Sequence, residues 1–196
     1  MRNKTNRTVS IKIAALIAAI VLVIGCTAGG TVAWLVSKPD PITNVFTVGD
    51  INATLTETKT EFKIVPGVNI AKDPVATVTA NSEDCYLFVK LTEENWPTFT
   101  EATEAGSIRK VEYKIADGWT ELESEHGVYY REVLKKDTEN RTFPVLQDDQ
   151  VTVSSTLTKK EANAITGTPK LTVAVYAVQK EGMASAADAW ETAKAN

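Results

Sequence analysis

Short segments rich in Val, Thr, Ile and Tyr, each closed by turn-forming residues, recur along this chain and point to an all-β class. Residues 45–56 alternate apolar and polar side chains around Gly49-Asp50, the pattern of two half-buried strands joined by a bend or bulge. The same reading assigns strands to 61–65, 75–80, 85–92, 108–115, 127–135, 150–157 and 170–179. Pro66-Gly67, Asn81-Ser82-Glu83-Asp84, Asp117-Gly118 and Asp148-Asp149 supply turn chemistry between them. Thr158, three residues before Glu161, forms a capping box for a short helix to Ile165, closed by Gly167 and Pro169. A second, alanine-rich helix is expected over 184–195. With no βαβ alternation, the pattern predicts a jelly-roll or Greek-key β-sandwich with short helices. The polar, proline-containing stretch 93–106 reads as a long loop over one end.

The N-terminus has a different character. No acidic residue precedes Asp40, while Arg2, Lys4, Arg7 and Lys12 form a basic start ahead of an apolar run from Ile13 to Gly25. That is the layout of an export signal, with small-residue cleavage points after Ala28 and after Ala33. Left uncleaved, the apolar run continues through Val36 for roughly the twenty residues that span a bilayer, so a retained membrane helix is the alternative. Val23-Ile24-Gly25-Cys26 also fits a loose pattern for bacterial lipid attachment at Cys26. The expected organisation is a signal at 1–33, an N-terminal arm at 34–48, a β-sandwich domain at 49–182 and a C-terminal helix at 183–196.

Without residues 1–33 the chain keeps 17 basic against 25 acidic residues, a formal charge of −8 against −4 for the whole sequence. Its Lys and Arg are scattered among carboxylates, which argues against nucleic-acid binding. Cleavage after Ala33 leaves Cys85 as the sole cysteine, and its apolar neighbours Tyr86, Leu87, Phe88 and Val89 mark it as a buried hydrophobe. The single histidine, His126, stands at a predicted hairpin turn beside Glu123 and Glu125. One histidine is a poor ligand set for a zinc hydrolase, and a solvated turn is the simpler account. Neither a nucleophile elbow nor a calcium-binding spacing is present, although acidic clusters at Glu93-Glu94, 121–125 and Asp148-Asp149 supply oxygen ligands. A paired-acid glycosidase would need aromatic platforms, whereas Trp34, Trp96, Trp119 and Trp190 are far apart in sequence and single tryptophans are usually core. The sequence therefore assigns no catalytic, cofactor or metal site.

Gly29-Gly30-Thr31-Val32-Ala33-Trp34-Leu35, the stretch from Asn44 to Ile51 and Leu55-Thr56-Glu57 together resemble the TasA/camelysin group of exported Gram-positive proteins. Ile64-Val65-Pro66-Gly67, Lys72-Asp73-Pro74, Cys85 to Lys90 and Ala174 to Gln179 extend the likeness over most of the chain. The resemblance implies a secreted or surface jelly-roll domain and processing by a SipW-type signal peptidase between Ala33 and Trp34. It also implies self-assembly into biofilm-matrix fibres by addition of an N-terminal strand to the next subunit. The arm that would be added carries Trp34, Leu35, Val36, Ile42, Val45, Phe46 and Val48, and Pro39 and Pro41 confine its ladder-forming part to 43–48. The alternative is that the arm pairs within its own domain. Two other readings follow: a surface binding module tethered by an uncleaved helix or by acylated Cys26, and a camelysin-like metallopeptidase, which a single histidine does not support.

Overall fold

The computed structural model describes residues 45–48, 51–58, 64–80, 82–137 and 141–195, all within one compact unit, Val36–Asn196. The described chain is mostly β-strand, in several largely antiparallel sheets with few helices, so the expected class holds. The centre is a pair of ten-residue strands, β5 (Cys85–Glu94) and β13 (Lys170–Gln179), antiparallel from Lys170 opposite Glu94 to Gln179 opposite Cys85. Both have buried side chains on both faces: Cys85 to Val89 run buried without a break, as do Val173 to Val175. Such unbroken apolar runs suit strands that are covered on both sides. β10 (Val128–Val133) flanks β5, and β9 (Thr120–Glu121) flanks β10. β1 (Val45–Val48) flanks β13 in parallel, completing a five-stranded sheet.

The C-terminal helix, Ala186–Lys194, covers one face of this sheet. Ser185 caps it by accepting from Asp188 N. Its Ala186, Ala189, Trp190 and Ala193 are buried with Tyr86, Phe88, Val128 and Val178. Small alanines let the helix approach the strands, and Trp190 fills the space between, with ring centroids 5.3 Å from Phe88 and 4.9 Å from Tyr176.

Two three-stranded sheets lie elsewhere: β2 (Ala53–Thr56) with β4 (Val75–Val78) and β11 (Thr142–Pro144), and β8 (Val111–Ile115) with β12 (Leu146–Val153) and β3 (Ile70–Ala71). β6 (Thr100–Thr103) and β7 (Gly106–Arg109) form a separate hairpin. The stretch 93–106 is thus the end of β5, a strand-free run at 95–99 and most of a hairpin, so the loop expected there is shorter than the sequence suggested. The expected strand 108–115 is likewise broken at Lys110, whose N–H donates to Phe99 O while its carbonyl accepts from Ser154 N. Its backbone bonds hand the chain from one sheet to another, a long-range event without a local signature.

Asp148-Asp149 is a bulge inside β12 and not a turn between strands. Both aspartates have positive φ, 57° and 51°, and the register with β8 shifts between Leu146 and Val151. Left-handed backbone tolerated by Asp serves a bulge as well as a turn. β12 also starts and ends earlier than 150–157, because Ser154 accepts from Thr156 N and Leu157 N in a turn. Of the expected strand 61–65, residues 61–63 lie outside the described residues, and Val65 makes only an isolated bridge to Val68 around Pro66-Gly67. The capping box at Thr158 and Glu161 is formed, and its helix, Lys159–Asn163, ends just before Ile165.

A buried arginine pins two loops. Arg141 donates to the carbonyls of Asp137, Thr79, Ser82 and Leu134, at 3.0–3.3 Å. Arg141→Met would leave these acceptors without their donor, and a loss of about 2–4 kcal/mol is expected, read as a lower urea midpoint with unchanged slope.

Candidate functional site

The arm predicted from sequence falls partly within the described residues. Val45, Phe46, Thr47 and Val48 form β1, opposite Val175, Tyr176, Ala177 and Val178 of β13 in the same chain. Trp34, Leu35, Val36 and Ile42, with Ala33 and Cys26, lie outside the described residues. The sequence alternative, an arm paired within its own domain, is the arrangement seen for 45–48.

This edge has three features that bear on strand exchange. β1 is four residues long and parallel to its neighbour, the slightly weaker of the two ladder types. It covers only Val175 to Val178 of β13, so among the described residues Lys170 to Ala174 have no strand on that side. It is joined to β2 by residues 49–52 alone, although β1 and β2 belong to different sheets. The far end of that connection is anchored: Ile51 is buried, Asn52 O accepts from Thr79 N at 2.8 Å, and Asn52 N lies 3.4 Å from its acceptor Ser82 Oγ.

The opposite flank of the sheet is closed by a carboxylate that sequence reading placed only among weak metal ligands. Glu125 accepts from Trp190 Nε1 at 2.7 Å, from Lys90 Nζ at 2.9 Å and from Lys194 Nζ at 3.1 Å. The turn before β10 is so fastened both to β5 and to the C-terminal helix. The indole donor first, then Lys90 and Lys194, hold the Glu125 carboxyl down at about 2.

The other candidates do not converge. His126 Nδ1 lies 2.8 Å from Glu121 Oε1, with its side chain 96% exposed. Glu93 accepts twice from Arg109 Nη1, and Glu94 pairs with Lys170 at 3.7 Å. Among the described residues no group of three or more His, Cys, Asp and Glu side chains comes together. Cys85 is fully buried, and burial pushes its thiol up to about 11, far from the reactive thiolate range. Trp96 and Trp190 are core, as single tryptophans usually are, while Trp119 is half-buried beside Phe143. Among the described residues no helix is long and apolar enough to cross a membrane.

Comparison with protein-family models, curated proteins and solved structures finds no match to this chain.

Glu125 supplies a test of the flank opposite β1. With its carboxyl held low in the fold, its stabilising contribution is complete above the ordinary value of 4.5 and is lost as pH falls toward about 2. Glu125→Gln should weaken the fold at neutral pH by about 1–3 kcal/mol, because the bonds to two ammonium groups and a buried indole are impaired. The same variant should flatten the acid limb of stability against pH, followed by tryptophan fluorescence in urea.

Proposed function

We propose that this chain is an exported, non-enzymatic structural protein of the cell surface or extracellular matrix, built as a jelly-roll-like sandwich and joined to its neighbours by strand exchange. The observation that carries this reading is β1: a short, parallel edge strand on a longer β13, tied to the domain through a short connection with an anchored far end. When β1 leaves, the N–H and C=O groups of Val175 to Val178 lose their ladder partners, and burying them elsewhere requires another strand. The β1 of a second copy supplies identical groups in identical register. Exchange then costs little beyond the loss of an intramolecular partner, and a short hinge favours partners in other chains.

The N-terminal sequence supports export: a basic start, an apolar run and a Gly-Gly-Thr-Val-Ala end suited to a SipW-type signal peptidase acting between Ala33 and Trp34. Cleavage there leaves residues 34–44 ahead of β1, and their apolar Trp34, Leu35, Val36 and Ile42 add contact area to an exchanged strand. This is the arrangement implied by resemblance to biofilm-matrix fibre subunits of the TasA/camelysin group.

The test is the intact mass and N-terminus of the protein from culture supernatant of its host, with negative-stain electron microscopy of the same sample. The expected result is a chain beginning at Trp34 that forms filaments, and loss of those filaments on deleting residues 34–48. Monomers alone, filaments that survive the deletion, or a retained signal or lipid-modified Cys26 would each overturn the reading, the last in favour of a membrane-tethered surface module.

A further inference from the structure

Most basic side chains in this acidic domain are spoken for. Lys72 pairs with Glu57, Lys90 and Lys194 with Glu125, Arg109 with Glu93, Lys110 with Glu161, Lys135 with Glu83, and Arg141 is spent on backbone carbonyls. Arg131 on β10 is different. It is half-buried, yet among the described residues no hydrogen bond or ion pair reaches its guanidinium. Its contacts are aromatic: the guanidinium carbon lies 3.9 Å from the centroid of Phe143 on β11 and 5.2 Å from that of Trp119 in the turn before β9. The two rings stand edge to face at 6.4 Å, and Trp119 Nε1 donates to Pro144 O at 2.8 Å, which fixes the indole.

The backbone is shaped around this cation. Gly118 has φ +83°, a conformation that favours glycine, and a Cβ there would lie 2.6 Å from Arg131 Nη2, so a larger residue would have to push the guanidinium aside. Burial lowers the pKa of Arg131, and no carboxylate opposes that effect, whereas Glu93 raises that of Arg109. A guanidinium has five donors in a planar fork, and leaving them without acceptors in a half-buried place is costly. Water meets part of that need in the free protein. A planar anion meets it better, because two parallel charge-assisted bonds replace separate waters.

We propose that Arg131, Trp119 and Phe143 form a binding site for a carboxylate-bearing saccharide, the guanidinium taking the carboxylate and the aromatic pair packing on the sugar ring. A pyranose presents an apolar C–H face next to its carboxylate, matching an arginine set beside rings. An acidic peptide brings the carboxylate without that face. This site is on β9–β11 and their turns, away from β1 in strand order, and it does not depend on strand exchange.

The test uses the full chain and three probes of equal length: a galacturonate oligomer, its methyl ester and a glutamate oligomer. The readout is the indole N–H signal of Trp119 in a heteronuclear NMR spectrum, assigned with Trp119→Phe among the four tryptophans of the chain. The galacturonate oligomer should shift this signal saturably, and the methyl ester should bind about tenfold more weakly or worse, as loss of a charge-assisted bidentate contact requires. Arg131→Gln should weaken galacturonate binding by a similar factor, and Arg131→Lys, which keeps charge but not the fork, by somewhat less. No shift, equal binding of acid and ester, undiminished binding by Arg131→Gln, or tighter binding of the glutamate oligomer would overturn the proposal. The ester comparison uses the unmutated chain, so it decides the question even where a substitution impairs folding.

Discussion

The ladder between β5 and β13 is the constraint from which the rest of the described structure is built. Ten consecutive residue pairs hold two strands together, and both strands are apolar enough to be covered on either face. The C-terminal helix can then bury Trp190 against Tyr176 and Phe88, one residue from each strand and directly opposite in register. β10 and β1 extend the same sheet on opposite sides, and they do so unequally. β10 pairs with β5 over six residues and is fastened at its turn by Glu125, while β1 pairs over four and is held through a short connection. One flank is locked and the other is lightly attached.

Polar groups refine this arrangement. Lys110, where the chain passes from the β6–β7 hairpin to β8, sends its ammonium to Thr156 O and to Glu161, so the sheet change and the cap of the short helix are fixed together. Lys72, almost fully buried, reaches Glu57 at 2.6 Å while its N–H donates to Asp149 O, joining the bulge of β12 to the segment after β2. Arg141 does the same for two loops with carbonyl acceptors alone. Each of these cations would be expensive to bury alone, and each has a partner at the point where separate elements meet. Arg131 departs from this rule, and that departure is what makes it a candidate ligand contact.

Local patterns were readable from the sequence, and long-range ones were not. The strand 170–179 and the capping box at Thr158 depend on side-chain periodicity and a three-residue spacing, and both came through intact. The break at Lys110 depends on partners at Phe99 and Ser154, so no local pattern announces it. Asp148-Asp149 was assigned to a turn between strands, whereas it forms a bulge, which draws on the same tolerance of Asp for left-handed backbone. Glu125 and Trp190 are 65 positions apart, and Arg131, Trp119 and Phe143 come from three different segments. The sequence singled out Glu125, Trp119 and Trp190 but not Arg131 or Phe143, and it had no means of bringing them together. Of the arm, only 45–48 lie among the described residues, and there they pair with β13 of the same chain, one of the alternatives the sequence left open.

The central claim is that β1 is a detachable edge on a persistent sheet, and residue-resolved hydrogen exchange of the monomeric chain at neutral pH tests it most directly. The account predicts that the amides of Val45 to Val48 exchange by local opening, orders of magnitude faster than the β5–β13 ladder amides, which should exchange only near the global unfolding limit. Protection of β1 equal to that of β5 and β13 would contradict it, because the edge would then open only when the whole domain unfolds.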